Sequence, residues 1–280
     1  MLVDLIHITT RDGVRLDGML QLPTTDPSAW PVDAVCMVHG TGGNFYASTL
    51  FDTVAERCLE RGCAVLRINT RGHDGISNAV TSKGGRRLGA AYEVVDDCRH
   101  DLAACIDWLK TNVGPRVGLI GHSLGAVKCL YALAHEPALD VACIVGISPP
   151  RLSYSWFCCS PEGPAFLATY QQADALMQAG RPTALLDVQL PLPFVITAAG
   201  YVEKYGPDER YNYLNFIASV RCRTLITLGE LEVADNMAFR GAAEALAELR
   251  RVPSVVTIPQ ADHFYTKARA ELIACIDRWL

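Results

Sequence analysis

One pentapeptide carries the residue types of covalent acyl chemistry: Gly121-His122-Ser123-Leu124-Gly125. A serine hydroxyl is a weak nucleophile until a base takes its proton, and the oxyanion it creates needs hydrogen-bond donors. An apolar run at 116–120 precedes the pentapeptide, and a helical pattern over 124–135 follows it. Ser123 is therefore expected on a sharp strand-to-helix turn with its hydroxyl exposed. Gly121 and Gly125 let such a turn close without Cβ clashes. The Leu124 amide falls at a helix N-terminus, where free N–H groups and the helix dipole favour developing negative charge. A chance match in a chain with 22 glycines is the competing reading. The strand–turn–helix context argues against it.

Two more stretches could complete the chemistry. His39-Gly40-Thr41-Gly42-Gly43-Asn44 follows the apolar run at 33–39. A Gly-rich turn there bares backbone N–H groups, and Thr41 is the candidate second oxyanion donor. No Gly-Lys-Ser/Thr follows, so the stretch is not a P-loop. His39 reads as a loop-packing residue rather than a base. His263, in Pro259-Gln260-Ala261-Asp262-His263-Phe264-Tyr265, is the candidate general base. Candidate acids Glu230, Glu232 and Asp235 follow the run at 224–229. Nucleophile, acid, base is one of the chain orders in which Ser–His–acid triads occur.

The elements that must position these groups can be read from patterning. Segments 2–10 and 14–22 flank Arg11-Asp12-Gly13, a hairpin signal. Short apolar runs at 33–39, 63–69, 116–122, 141–147, 224–229 and 254–258 have the look of buried parallel strands. Helical periodicity runs from Val95 to Leu109, over 235–251 and over 264–280. Alternation of this kind predicts an α/β fold, with a mostly parallel sheet made mixed by its antiparallel start. Every candidate group then falls at the C-terminal edge of the sheet, where ligands bind. Residues 150–222, rich in Pro and aromatics, interrupt the alternation and are too long for a plain loop. They are expected to form an inserted cap, with helices near 165–179 and 209–220 and at least half of the aromatics in its core. In Asn69–Gly75, Arg71 and Asp74 are expected to pair and shape a turn. Lys83–Arg87 reads as a solvated basic loop, and His122 and Leu124 as residues that orient the turn at Ser123.

Composition narrows the function classes. Half of the 280 residues are apolar and 20% are charged, which excludes disordered and low-complexity classes. Lys+Arg 25 against Asp+Glu 30 leaves a net charge of −5, no electrostatic footprint for nucleic acid or an anionic membrane. No apolar run approaches the ~18 residues of a spanning helix, and the N-terminus lacks a basic region of the signal-peptide kind. The 11 cysteines sit mostly in apolar runs without C-x-x-C or zinc-ligand spacing. They read as reduced, buried thiols of a cytoplasmic protein. No G-x-G-x-x-G after a strand, no Schiff-base lysine context and no H-E-x-x-H is present. No cofactor and no metal is expected.

The sequence resembles the α/β-hydrolase superfamily. HGTGGN at 39–44, GHSLG at 121–125, TLITLGELE at 224–232 and ADHF at 261–264 carry the resemblance, together with the strand–helix order. It covers nearly the whole chain outside the insertion and is specific for the superfamily, not for a subfamily. It implies a doubly wound, mostly parallel sheet with an antiparallel N-terminal hairpin. Residues 1–149 and 223–280 would form the core and 150–222 a largely helical cap, or lid. It also implies a catalytic triad of Ser123, His263 and Glu232. Glu232 stands three residues after Gly229, where similar proteins more often carry Asp; Asp235 is the alternative acid. The oxyanion hole would be the amides of Thr41 and Leu124. The implied activity is that of a serine esterase acting on a small-molecule carboxylic ester, thioester or lactone. The same triad serves amide or carbon–carbon bond hydrolysis. A non-catalytic small-ligand-binding protein on this fold is the alternative of another class. The expected partner is a small-molecule substrate, with no nucleic acid and no membrane. Oligomeric state is not written in these patterns.

Overall fold

The apolar runs are too short for buried helices and rich in Val and Ile, and they close as strands. The computed structural model describes residues 3–24, 30–249 and 253–280. Its strands are β1 (Asp4–Thr9), β2 (Arg15–Gln21), β3 (Ala34–Val38), β4 (Ala64–Ile68), β5 (Ser77–Thr81), β6 (Gly84–Leu88), β7 (Val117–His122), β8 (Cys143–Ile147), β9 (Leu185–Val188), β10 (Phe194–Thr197), β11 (Arg223–Gly229) and β12 (Ser254–Ile258). Its α-helices are α1 (Thr49–Glu60), α2 (Cys98–Asn112), α3 (Leu124–His135), α4 (Tyr154–Cys158), α5 (Gly163–Gln178), α6 (Ala198–Tyr205), α7 (Glu230–Asp235), α8 (Ala242–Ala247) and α9 (Arg269–Trp279).

Eight strands form one sheet in the order β1-β2-β4-β3-β7-β8-β11-β12. β2 pairs antiparallel with β1 and β4, and the other pairs are parallel. The sheet is thus the mixed, doubly wound one expected from the alternation. β3, β4, β7 and β8 are buried along their whole length. Side chains of β3 alternate between the two faces: Ala34, Cys36 and Val38 join Leu102 of α2 and Leu130 of α3, while Val35 and Met37 join Phe51 of α1 and Leu272 of α9. On the second face Asp277 of α9 accepts from Arg57 of α1 and from Arg61 just after it.

Between β8 and β11 lie α4, α5, the β9–β10 hairpin and α6. Phe157, Phe166, Tyr201, Tyr205, Tyr211, Tyr213 and Phe216 of this insertion are buried, in the same apolar cluster as α2 and α3.

The structure differs from the sequence expectation in several places. The helix expected at 209–220 is two short 3-10 turns, Tyr213–Asn215 and Ile217–Ser219, and α6 is an addition. Of the helix expected at 235–251 only residues 242–247 are helical, as α8, with Gly241 before it at φ 70 and α7 ending at Asp235; residues 250 and 251 of that expectation lie outside the described residues. Lys83–Arg87 belongs to the β5–β6 hairpin rather than to an irregular loop. Arg71 does not pair with Asp74. Its buried guanidinium hydrogen-bonds Asp101 at 2.7 and 2.9 Å and Asp12 at 2.9 and 3.1 Å, and lies 3.0 Å from Asp97. Asp74 instead accepts from Asn44 and Tyr46 of the preceding Gly-rich loop. These two bonds tie the 71–74 turn to residues 39–46.

Candidate active site

The turn at Ser123 follows from its neighbours. β7 ends at His122, α3 begins at Leu124, and Ser123 between them takes φ 55 and ψ −127. A non-glycine residue rarely adopts this backbone, at a cost of about 1–3 kcal/mol. Its N–H is anchored to Ile147 O at 2.8 Å. The two glycines do different work. A Cβ on Gly121 would lie 2.5 Å from Ala126 Cα, so this glycine lets the turn close on itself. A Cβ on Gly125 would lie 2.0 Å from Val38 O and 2.5 Å from His39 O, so this one lets α3 seat against the end of β3. Ser123 Oγ is half-buried and makes no hydrogen bond among the described residues.

The candidate acid and base meet across a second pair of loops. His263 Nδ1 lies 2.7 Å from Glu232 Oε2. Glu232 is at the third position of α7, and its other oxygen turns back to accept from Gly229 N at 2.7 Å. Ser148, just after β8, donates to that same oxygen, and the Tyr265 hydroxyl lies 3.0 Å from both Ser148 Oγ and Thr227 Oγ1. The carboxylate is therefore fixed from three elements. Glu230 is turned away and accepts from Gln260, and Asp235 is exposed. The His263 ring is 4.7 Å from that of His122, centroid to centroid, which sets the imidazole beside the turn that presents Ser123. His122 Nε2–H donates to His263 O at 2.9 Å and pins the two loops together. Phe239 and Phe264 each approach the His263 ring at 5.1 Å.

The loop after β3 supplies the remaining donors. A Cβ on Gly40 would lie 2.9 Å from that of Ser123, so this loop lies against Ser123. The N–H groups of Thr41 and Leu124 have no acceptor among the described residues. Thr70 N–H donates to His39 Nε2 at 3.1 Å, so the His39 proton is on Nδ1, which donates to Gly40 O at 2.8 Å. Gly40 O and Thr41 N–H belong to one trans peptide and point in opposite directions. Holding the carbonyl therefore aims the amide. Beneath this loop lies a buried ionic cluster in which Glu93 meets Lys128 of α3 and, at 3.7 Å, Lys204 of α6. Lys128 also donates to Thr70 Oγ1 at 3.4 Å.

Ser148, Thr227, Tyr265, Thr70 and the orienting role of His39 are not in the sequence expectation. The available signal was a polar residue in or directly after an apolar strand. Among the described residues no group of three His, Cys, Asp or Glu is arranged to hold a metal ion, and no helix is long and apolar enough to cross a membrane.

Burial drives the imidazoles of His39 and His122 from the ordinary 6.5 down to about 3. In that window the unfolded chain binds two protons that the native chain refuses, so stability falls as pH drops from 6.5 toward 3. Urea midpoints are expected to decline from about pH 6.5 downward. His122→Gln, which keeps a donor to His263 O, is expected to make that decline shallower. A decline beginning only below about pH 4.5, in the carboxylate range, would contradict the neutral imidazoles.

The family model described as alpha/beta hydrolase family matches residues 37–274. No curated protein matches the chain by sequence. An esterase of Pyrococcus furiosus is similar over 99% of this chain and 91% of its own, at 21% identity and a TM-score of 0.65. A Butyrivibrio proteoclasticus protein solved with ferulic acid bound covers 98% and 96%, at 18% identity and 0.67. The esterase domain of a Rhodothermus marinus protein covers 100% and 98%, at 20% identity and 0.61. At these identities the likeness to the solved structures is one of fold.

Proposed function

This chain belongs to the alpha/beta hydrolase family, and from that membership we propose that it is a serine hydrolase cleaving a small-molecule carboxylic ester, thioester or lactone. The observation that carries this reading is the 2.7 Å contact between His263 Nδ1 and a carboxylate whose side chain is only 3% exposed. Glu232 there holds the Nδ1–H tautomer and leaves Nε2 as the base. His263 takes the Ser123 proton as Oγ attacks the carbonyl carbon, and Glu232 stabilises the imidazolium. The amides of Thr41 and Leu124 receive the oxyanion, each donor contributing about 3 kcal/mol. His263 then protonates the leaving group. Water, deprotonated by the same imidazole, releases the acid and restores Ser123. Catalytic hydrogen bonds are often long before substrate binds, so an unbonded Ser123 Oγ is compatible with this route. The esterase names among the solved neighbours support an ester bond as the target. In this reading residues 150–222 cap the site. The bond from the Trp156 indole to Met237 O, two residues from Phe239, supports that placement. Eight cysteines buried as free thiols support a reducing, cytoplasmic setting.

An aryl fluorophosphonate is the direct test. It should add one phosphonyl group per chain, and peptide mapping should place it on Ser123. A folded chain that stays unlabelled at Ser123 would remove the serine hydrolase reading and favour a non-catalytic binder.

A further inference from the structure

Arg151 follows β8 by four residues, at the same sheet edge as Ser123 and Glu232. Its backbone N–H donates to Ala238 O at 2.6 Å. Its guanidinium lies over the Trp156 ring at 4.3 Å, and the Trp156 indole donates to Met237 O at 3.0 Å. Phe239, directly after Ala238, lies against the His263 ring. Arg151 and Trp156 are thus fastened to the three-residue stretch that packs against the imidazole.

The guanidinium is a charge without a counterion. Among the described residues Arg151 makes no ion pair and no side-chain hydrogen bond, and its Nε is fully buried with no acceptor. The other arginines close to the active-site loops behave differently: Arg71 is ringed by Asp12, Asp97 and Asp101. The carboxylate fastened to the turn at 153–155, Glu209, is already engaged by Ser153, Ser155 and Asn212. A second polar atom nearby is equally unanswered. The Tyr213 hydroxyl is fully buried and has no hydrogen-bond partner. Arg151's charge pulls its pKa down and Glu232's pushes it up, against a dominant upward push from burial, so the hydroxyl lies within electrostatic reach of both. Buried polar atoms such as Arg151 Nε are almost always bonded, and a partly buried guanidinium with no counterion is suited to meet an anion.

We propose that Arg151, stacked on Trp156, anchors a carboxylate carried by the substrate, so that the preferred substrates are esters bearing a negative charge away from the scissile bond. The proposal rests on the serine hydrolase reading. One planar guanidinium with a neutral hydroxyl nearby matches a monoanionic, planar acceptor, which a fork of N–H donors binds in two parallel bonds. A phosphate dianion would call for further cations, and none is paired with Arg151 here.

The test compares two aryl esters of equal chain length, a mono-aryl adipate and the neutral aryl hexanoate. Wild type should show at least a tenfold higher kcat/KM on the charged ester. Arg151→Met should lower the charged-to-neutral ratio at least tenfold, with the loss in KM. Arg151→Lys keeps the charge but not the planar fork and should fall between the two. It also serves as the readout if the methionine variant does not fold. A wild type that is labelled by fluorophosphonate and hydrolyses the neutral ester, yet shows no preference for the charged one, overturns the carboxylate anchor and leaves the hydrolase reading intact. A charge preference that persists in Arg151→Met also overturns it. A wild type inert to both esters and to the fluorophosphonate defeats the underlying reading instead.

Discussion

Ser123→Ala is expected to lower kcat for aryl ester hydrolysis by about 10,000-fold to 1,000,000-fold while the chain still folds. The His263–Glu232 pair would then have no hydroxyl to deprotonate, and only binding and the oxyanion donors would act on the carbonyl. Folding should survive because Ser123 Oγ makes no hydrogen bond among the described residues, so the substitution removes no contact that holds the turn. Ser123→Gly should abolish activity to the same extent yet melt at a higher temperature than Ser123→Ala. Glycine accepts φ 55 without the Cβ penalty. Single-turnover assays and thermal melts on the two variants check both statements. Activity within tenfold of wild type in Ser123→Ala would exclude Ser123 as nucleophile.

Arg71→Met is expected to cost about 3–5 kcal/mol of folding stability, because it breaks a buried ion cluster from one side. Asp101 is fully buried. Burial already raises its pKa, and the Arg71 guanidinium is the main opposing influence. Without that charge Asp101 must either remain ionised in an apolar interior or take up a proton, and both destabilise the native chain. Catalysis should suffer as well, since the 71–74 turn is tied through Asp74 to Asn44 and Tyr46 of the loop that carries Thr41. The double variant Arg71→Met/Asp101→Leu should recover part of the lost stability, because Asp101 is the fully buried one of the three carboxylates around Arg71 and its stranded charge is removed. Denaturant midpoints of the three proteins decide it. A double variant no more stable than Arg71→Met would mean that packing of the Arg71 stem, rather than its charge, holds the turn.

What the sequence made readable was local. The strand–turn–helix at Ser123 is written in consecutive residues, and β3, β4, β7, β8 and β11 stand out as short apolar runs. The contact of His263 with Glu232 rather than Asp235 follows from helix geometry. Glu232 is the third residue of α7, where a side chain folds back over the N-terminus to Gly229 N, whereas Asp235 lies a turn further on and faces solvent. The unread parts depend on distant partners or lack periodicity. Ser148 bonds Glu232 across 84 residues, and Tyr265 meets Ser148 across 117. Neither pairing leaves a mark in a linear pattern. β6 is exposed along nearly its whole length, so no apolar alternation marks it as a strand. Residues 209–220 have helical composition, but they fold as tight turns because Tyr211, Tyr213, Phe216 and Ile217 must all point into one cluster.

That cluster bears on how a reactant gets in. Phe157, Phe166 and Tyr201 of the insertion share one apolar interior with Leu102 and Leu130, so swinging residues 150–222 away as a rigid door would expose that interior to water. Two solvent-facing rings sit beside the candidate site's loops, Phe264 at 58% exposure against His263 and Tyr46 at 60% against Asp74. Traffic governed by rotating side chains runs on picoseconds to nanoseconds, far faster than the microseconds to milliseconds of a swinging domain. Under the proposed reading, entry and exit paced by such rings would set no speed limit, and bond-making would time turnover.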